Sequence, residues 1–258
     1  MKSNIIDIDK EKCIGCGLCV KDCPSKCISL ENGKATYNSD LCIKCGHCFA
    51  ICPKSAIDMP QYDTNNLDKY YTMENFDSEN LLSAFKSRRT IRQFKTAPIE
   101  KEKIRMILEA GRYCQTAKNV QGINFTILDS KKELIESICV KMFRRAISVG
   151  KIFSKSLKNY NIDDNFFFKK APTVIIVSGR GNMNKGLATS YMELMAESLG
   201  LGVLVSGFTE TCIRLNPRLK RMINLPKGHK IYSVMVIGYP DVKYQRIVPR
   251  DHVNFKVL

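Results

Sequence analysis

Nine of the twelve cysteines lie between residues 13 and 52, and eight of those form two runs with one spacing. Cys13, Cys16, Cys19 and Cys23 precede Pro24, while Cys42, Cys45, Cys48 and Cys52 precede Pro53, so each position recurs at an offset of 29. Aligned as CIGCGLCVKDCP and CIKCGHCFAICP, the runs agree at seven of twelve positions, which marks an internal duplication. A spacing of three lets a tight loop turn three thiolates toward one polynuclear centre, and Gly15, Gly17 and Gly46 permit the close backbone approach that its sulfides need. The fourth Cys of each run lies too far along to close that same loop. Zinc favours four ligands in two separated pairs and has no use for a third Cys three residues on. Disulfide frameworks belong to small secreted chains, whereas the opening MKSNIIDIDK lacks the basic and apolar regions of a signal peptide. Cys27 breaks the duplication, since its counterpart is Ala56, and reads as a small buried side chain. His47, inside the second run, reads as a surface neighbour that tunes potential.

A second set of chemistry-bearing residues follows. SRRTIRQF at 87–94 places Arg88, Arg89 and Arg92 around Thr90, where they can form a cationic pocket for a phosphate and an electron-rich ring. AKNVQGINF at 117–125 sets Asn119 and Gln121 before a strand. GLGVLVSGF at 200–208 ends a strand in a turn at Ser206 and Gly207 that exposes backbone N–H groups, and YPDVKYQR at 239–246 returns Lys243 and Arg246 after the last strand. GRGNMNKG at 179–186 mimics a dinucleotide loop but lacks its glycine spacing and the later acid. Cys114, Cys139 and Cys212 have no companion spacing and read as packed thiols.

The elements that must position these residues are legible in outline. Residues 1–60 form a small first domain, in which Ile5, Ile6 and Ile8 pair with Ile57 and Met59 and ISLENGKATY is a hairpin turning at Asn32 and Gly33. So short a stretch buries little apolar surface, so metal centres must hold it together. Residues 61–77 read as a polar linker, and 78–258 as the second domain. Leu81, Leu82 and Phe85 predict a short helix; Ile104, Ile107, Leu108 and Gly111 predict a longer one; Tyr191, Leu194, Met195 and Ser198 a third, ending at Gly200. Strands are expected at 123–128, 173–177, 202–206 and 231–238, giving a mixed sheet covered by helices. Residues 131–170 read as helical, with Phe166, Phe167 and Phe168 as either lid or core.

The first domain resembles the bacterial two-cluster ferredoxins, in which the fourth Cys of each run crosses to the other centre. The resemblance implies one 4Fe-4S cluster on Cys13, Cys16, Cys19 and Cys52, and a second on Cys42, Cys45, Cys48 and Cys23. Residues 78–248 resemble the FMN-dependent nitroreductase family in the order of the four short segments and in LPKGHKIYSVMVIGYP at 225–240. That resemblance implies Arg88 and Arg246 on the FMN phosphate, with Arg89 and Lys243 in the same cationic pocket, and Thr90 on the phosphate or ribityl chain. It implies Arg92 near the N1 edge of the flavin, Asn119, with Gln121 beside it, reaching the flavin from a partner subunit, and Ser206 and Gly207 facing N5 through their backbone. A cation beside N1 favours the reduced flavin. The expected fold is α+β: a ferredoxin-like two-cluster domain, then a nitroreductase-type α/β/α domain with a mixed central sheet. The expected assembly is a homodimer.

The 258 residues carry a net charge of +16. Residues 1–60 hold 8 Lys against 7 acids, and the remainder holds 33 Lys and Arg against 18 acids. Those basic residues are spread over helical faces, with no aromatic-rich basic motif, so no nucleic-acid partner is expected. No apolar run reaches membrane-spanning length, and the expected location is the cytoplasm. The implied activity is an iron–sulfur flavoprotein oxidoreductase that passes electrons from a low-potential donor, an acidic ferredoxin or flavodoxin or else NAD(P)H, to a small nitro, quinone or other electron-poor acceptor. The alternative is an electron carrier or redox sensor with no dedicated organic substrate.

Overall fold

The computed structural model describes residues 5–65, 67–68, 70–72, 76–153, 162–181 and 185–258. Parts of three predicted segments therefore lie outside the described residues: 182–184 of the dinucleotide-like loop, 154–161 of the stretch from 131 to 170, and 66, 69 and 73–75 of the linker. The chain divides into two compact units, one of residues 1–76 with 117–120, the other of 77–116 with 121–258.

In the first unit the duplication repeats in the backbone. Helix α1 (Leu18–Asp22) and helix α2 (His47–Ile51) each follow a glycine, Gly17 or Gly46, held in the left-handed conformation at φ 73 and 79. Strand β1 (Asp7–Ile8) pairs antiparallel with β4 (Ile57–Asp58), bringing Ile8 opposite Ile57, while Ile6 and Met59 are buried beside them. Strands β2 (Ile28–Glu31) and β3 (Lys34–Tyr37) form the expected hairpin. Its turn residues Asn32 and Gly33 both take positive φ, 49 and 72, which is the twist a two-residue hairpin turn requires. The core is thin: ten residues reach burial, three of them run cysteines.

The second unit is built on a four-stranded sheet of order β5-β6-β8-β7, namely β5 (Ile123–Leu128), β6 (Thr173–Gly179), β8 (Lys230–Gly238) and β7 (Gly202–Val205). These strands pair antiparallel throughout; the parallel component of the mixed sheet is an isolated bridge from Thr90 to Val203. Val174, Ile176, Val234 and Val236 face one side, and Ile175, Val177, Met235 and Ile237 the other, all fully buried. Coverage of both faces is why the central strands read as continuous apolar runs. Helices α5 (Lys132–Phe153), α7 (Gly207–Leu215) and α8 (Pro217–Ile223) cover the first side. Helices α4 (Lys101–Arg112) and α6 (Lys185–Ser198) cover the second, where Ile107 and Met192 pack together with the sheet. Burying each such side chain stabilises the fold by about 1.5–3 kcal/mol.

Helix α3 (Ser78–Ser87) begins where the Asp77 carboxylate accepts the N–H groups of Glu79 and Asn80 at 2.9 and 3.1 Å. It buries none of its residues within this chain. Of the stretch from 131 to 170 expected to be helical, the described residues form α5 from Lys132 to Phe153 and turns at 164–170. Side chains take the backbone donors there instead of a helical ladder: Asp163 Oδ1 accepts from Asn165 N at 2.8 Å, and the buried Glu136 accepts from Phe168 N at 2.7 Å. Phe167 and Phe168 are core residues, buried to 1% and 0% exposure, so neither is a lid. Cys114, Cys139 and Cys212 are buried thiols, as expected.

Candidate functional site

The two cysteine runs meet around two cavities in the first unit. One is bordered by Cys13, Cys16 and Cys19 together with Cys52, the other by Cys42, Cys45 and Cys48 together with Cys23. The duplication explains the exchange. After each short helix the chain is extended at Cys23 and Cys52, with ψ of 110 and 112, and this carries the fourth thiol away from its own loop toward the other. Backbone donors are aimed at the sulfurs: Ala35 N at Cys13 Sγ, 3.4 Å; Cys27 N at Cys23 Sγ, 3.4 Å; Ala56 N at Cys52 Sγ, 3.3 Å. The Ala35 and Gly15 N–H groups, with Lys34 and Lys10 nearby, hold the Cys13 thiol below its ordinary pKa. Burial raises Cys19, and raises Cys48 to about 11. Among the described residues no three His, Cys, Asp or Glu side chains converge as ligands of a single ion. Thiols gathered around a cavity, with backbone N–H groups directed at their sulfurs, match the donor chemistry of an iron–sulfur centre.

Lys34 Nζ donates to Cys13 O at 2.5 Å and Lys10 Nζ to Ala35 O, pinning the first loop to the hairpin. His47 is exposed and borders the second cavity, as a neighbour and not a fifth ligand of the run. Cys27 is buried, as expected for a small side chain, but its Sγ also stands 3.5 Å from Cys23 Sγ.

In the second unit the segment 87–95 is stitched along the sheet edge. Ile91 N donates to Val203 O at 3.0 Å, Asp241 N to Gln93 O at 2.9 Å and Lys95 N to Tyr239 O at 2.9 Å. Gly202 admits Ile91, since a Cβ there would lie 2.5 Å from Ile91 Cγ1. Thr90, in its bridge to Val203, is thus fixed beside β7. Arg88 and Arg89 then border a cleft whose other wall includes Ile247, Val248 and Arg250. Arg89 lies over the Tyr244 ring, 5.7 Å from its centroid, and its Nε is buried without a hydrogen-bond partner among the described residues. An orphaned guanidinium donor next to a second arginine is what an anionic phosphate would satisfy. Arg92, Lys243 and Arg246 are exposed on the same unit and do not border this cleft.

One expected contact is corrected. Ser206 does not offer its N–H to a ligand: that group donates to Val234 O at 2.8 Å, and the hydroxyl pairs with Thr209 Oγ1 at 2.7 Å. The opening of α7 is therefore Gly207, where a first-turn N–H has no acceptor within the helix and open space lies before the Cα. Asn119 donates from Nδ2 to Lys44 O at 2.6 Å, inside the first compact unit. The loop reaches it through three left-handed residues, Lys118, Asn119 and Gln121, with Gln121 N held by Thr116 Oγ1 at 3.0 Å.

The sequence reading missed an acidic pair on α6. Glu193 forms an ion pair with Arg88, and Glu197 sits one turn further on. The available signal was two acids at i and i+4, flanking the apolar Leu194–Met195–Ala196 of the helix. Burial, with Glu193 alongside, lifts the Glu197 carboxyl from 4.5 to about 7 against the opposing pull of Arg88. The folded protein therefore keeps this proton in a window, 4.5 to about 7, where the unfolded chain has lost it. Stability falls as pH rises across that window, and the deficit is complete above it. Glu197→Gln is expected to raise the melting temperature near pH 8 and not near pH 4, by about 1 kcal/mol for a half-buried group. An equal shift at both pH values, measured by thermal denaturation, would contradict this.

Among the described residues no helix is long and apolar enough to cross a membrane. A search of the curated proteins by sequence finds no match. Solved structures share the fold of the second unit. An FMN-dependent nitroreductase from Clostridium difficile aligns at 20% identity over 70% of this chain and 100% of its own, with a TM-score of 0.57. A nitroreductase with bound FMN from Desulfitobacterium hafniense aligns at 19% over 68% and 97%, TM-score 0.55. Oxidised iodotyrosine deiodinase bound to FMN and 3-iodo-L-tyrosine aligns at 21% over 68% and 97%, TM-score 0.53. The model of the 4Fe-4S dicluster domain matches residues 5–53 and that of the nitroreductase family residues 85–239, so the chain belongs to the nitroreductase family and carries a ferredoxin-type domain ahead of it.

Proposed function

We propose that the protein is an iron–sulfur flavoprotein oxidoreductase that draws electrons from a low-potential donor and reduces a nitro, quinone or other electron-poor conjugated compound. The observation that carries this reading is the crossed lining of the two cavities, three cysteines from one run and the fourth from the other, in a chain whose family shares its fold with FMN proteins. Cys13, Cys16, Cys19 and Cys52 would hold one 4Fe-4S cluster, and Cys42, Cys45, Cys48 and Cys23 the other. The clusters supply one-electron exchange, and FMN supplies the conversion between single electrons and hydride.

The chain's own residues do the rest. Arg88, oriented by Glu193, and Arg89, with its unpartnered Nε, bind and fix the FMN phosphate at the cleft, with Lys243 and Arg246 adding positive potential from the segment that carries Tyr244. Thr90 and Arg92, carried by the same stitched segment, would meet the ribityl chain and the N1 edge. Gly207 presents the opening of α7, whose partial positive charge favours an electron-rich flavin edge. Asn119 and Gln121 would reach the flavin from a second subunit. Leu82 and Phe85 on α3, 51% and 49% exposed, form an apolar face that a second subunit would cover.

Anaerobically purified protein is expected to contain about eight irons and one FMN per chain. Stopped-flow mixing with reduced ferredoxin should bleach both chromophores, and a quinone or nitroaromatic should restore them with steady turnover. Bleaching without turnover on any acceptor would favour the electron-carrier alternative, and zinc in place of iron would end the proposal.

A further inference from the structure

The duplication supplies its own control for one unexplained thiol. At the end of each run the backbone is the same: Lys26 and Ser55 take φ of 49 and 47, and the next N–H donates to the fourth sulfur of the run, from Cys27 to Cys23 at 3.4 Å and from Ala56 to Cys52 at 3.3 Å. The two ends differ in the side chain of that next residue. Where Ala56 has a methyl group, Cys27 carries a thiol 3.5 Å from Cys23 Sγ, buried to 7% exposure and lining the same cavity. Cys23 and Cys42 border the same cavity.

A cysteine bound to iron is a thiolate and only accepts, so the proton between Cys23 and Cys27 belongs to Cys27. We propose that Cys27 is a positioning residue for the cluster of Cys42, Cys45, Cys48 and Cys23, whose S–H donates to the Cys23 sulfur and raises that cluster's reduction potential. The inference rests on the two-cluster reading given above. One-electron reduction adds negative charge that spreads onto the sulfur ligands, and a donor aimed at one of them stabilises the reduced state more than the oxidised one. The other cluster keeps the backbone donor but lacks the second one, so the difference between the halves isolates the thiol.

The test is a redox titration of anaerobic full-length protein followed by electron paramagnetic resonance, with iron counted on the same samples. Cys27→Ala is expected to keep about eight irons, lower one of the two midpoints and leave the other in place, and Cys27→Ser, which restores a donor, should move the lowered midpoint back. Full iron with both midpoints unmoved in Cys27→Ala overturns the proposal. Loss of about four irons also overturns it, because Cys27 would then be a ligand. Wild-type protein with fewer than about eight irons instead overturns the two-cluster reading, so the two failures are told apart.

Discussion

Cys52→Ser is expected to strip iron from the cavity bordered by Cys13, Cys16 and Cys19 and to spare the centre proposed for Cys42, Cys45 and Cys48. Cys52 belongs to the second run in sequence but to the first cavity in space. A hydroxyl is a poor substitute for a soft thiolate on iron, and the remaining three thiols cannot close a four-ligand set. Iron is expected to fall from about eight to about four per chain. Alkylation under native anaerobic conditions, read by mass spectrometry, should label Cys13, Cys16 and Cys19 in the variant while Cys42, Cys45 and Cys48 stay protected. The opposite labelling pattern would show that each run closes on itself. Because sixty residues bury so little apolar surface, the half-loaded unit should also unfold at lower denaturant than the rest of the chain.

Gly15→Ala is expected to be nearly as damaging without removing any ligand. Gly15 takes φ of 68, and a Cβ built there would lie 2.1 Å from Gly33 O in the hairpin turn. The left-handed conformation alone costs an L residue about 1–2 kcal/mol, and the collision is with backbone that is itself pinned by Lys34 and Lys10. The loop or the turn must move, and either motion displaces Cys13 or Cys16. Loss of roughly half the iron and a broadened melting transition are expected. Lys44→Ala, at the equivalent position of the second run, is the control and should keep full iron. Equal behaviour of the two variants would mean that the turn does not press on the loop.

How much of this was legible depended on whether local chemistry or distant packing decided each feature. The Asn32–Gly33 hairpin, the strand INFTIL and the buried runs of β6 and β8 are set by turn chemistry and apolar patterning, and they appear where expected. The crossed cysteine lining followed from family resemblance, since spacing alone shows only that the fourth thiol cannot close its own loop. Ser206 was misread because nothing local shows that the Val234 carbonyl, on a neighbouring strand, takes its N–H. Nor does anything local show that Asn119 Nδ2 finds its acceptor at Lys44. The turns at 164–170 looked helical because Phe166, Phe167 and Phe168 suggest a packed face, whereas Glu136, on a separate helix, supplies the acceptor that ends regular structure. Arg88 and Arg89 were singled out by type and order, but the ion pair with Glu193 and the raised Glu197 depend on α6 lying beside them.

Lys44 stands where Gly15 stands in the other copy, with φ of 58, and its side chain is exposed because no hairpin crosses above it. The ancestral tandem symmetry has therefore been lost in one direction. The β2–β3 turn presses on the first loop and demands glycine there, while the matching position of the second loop accommodates a lysine, so the two repeats are no longer interchangeable parts.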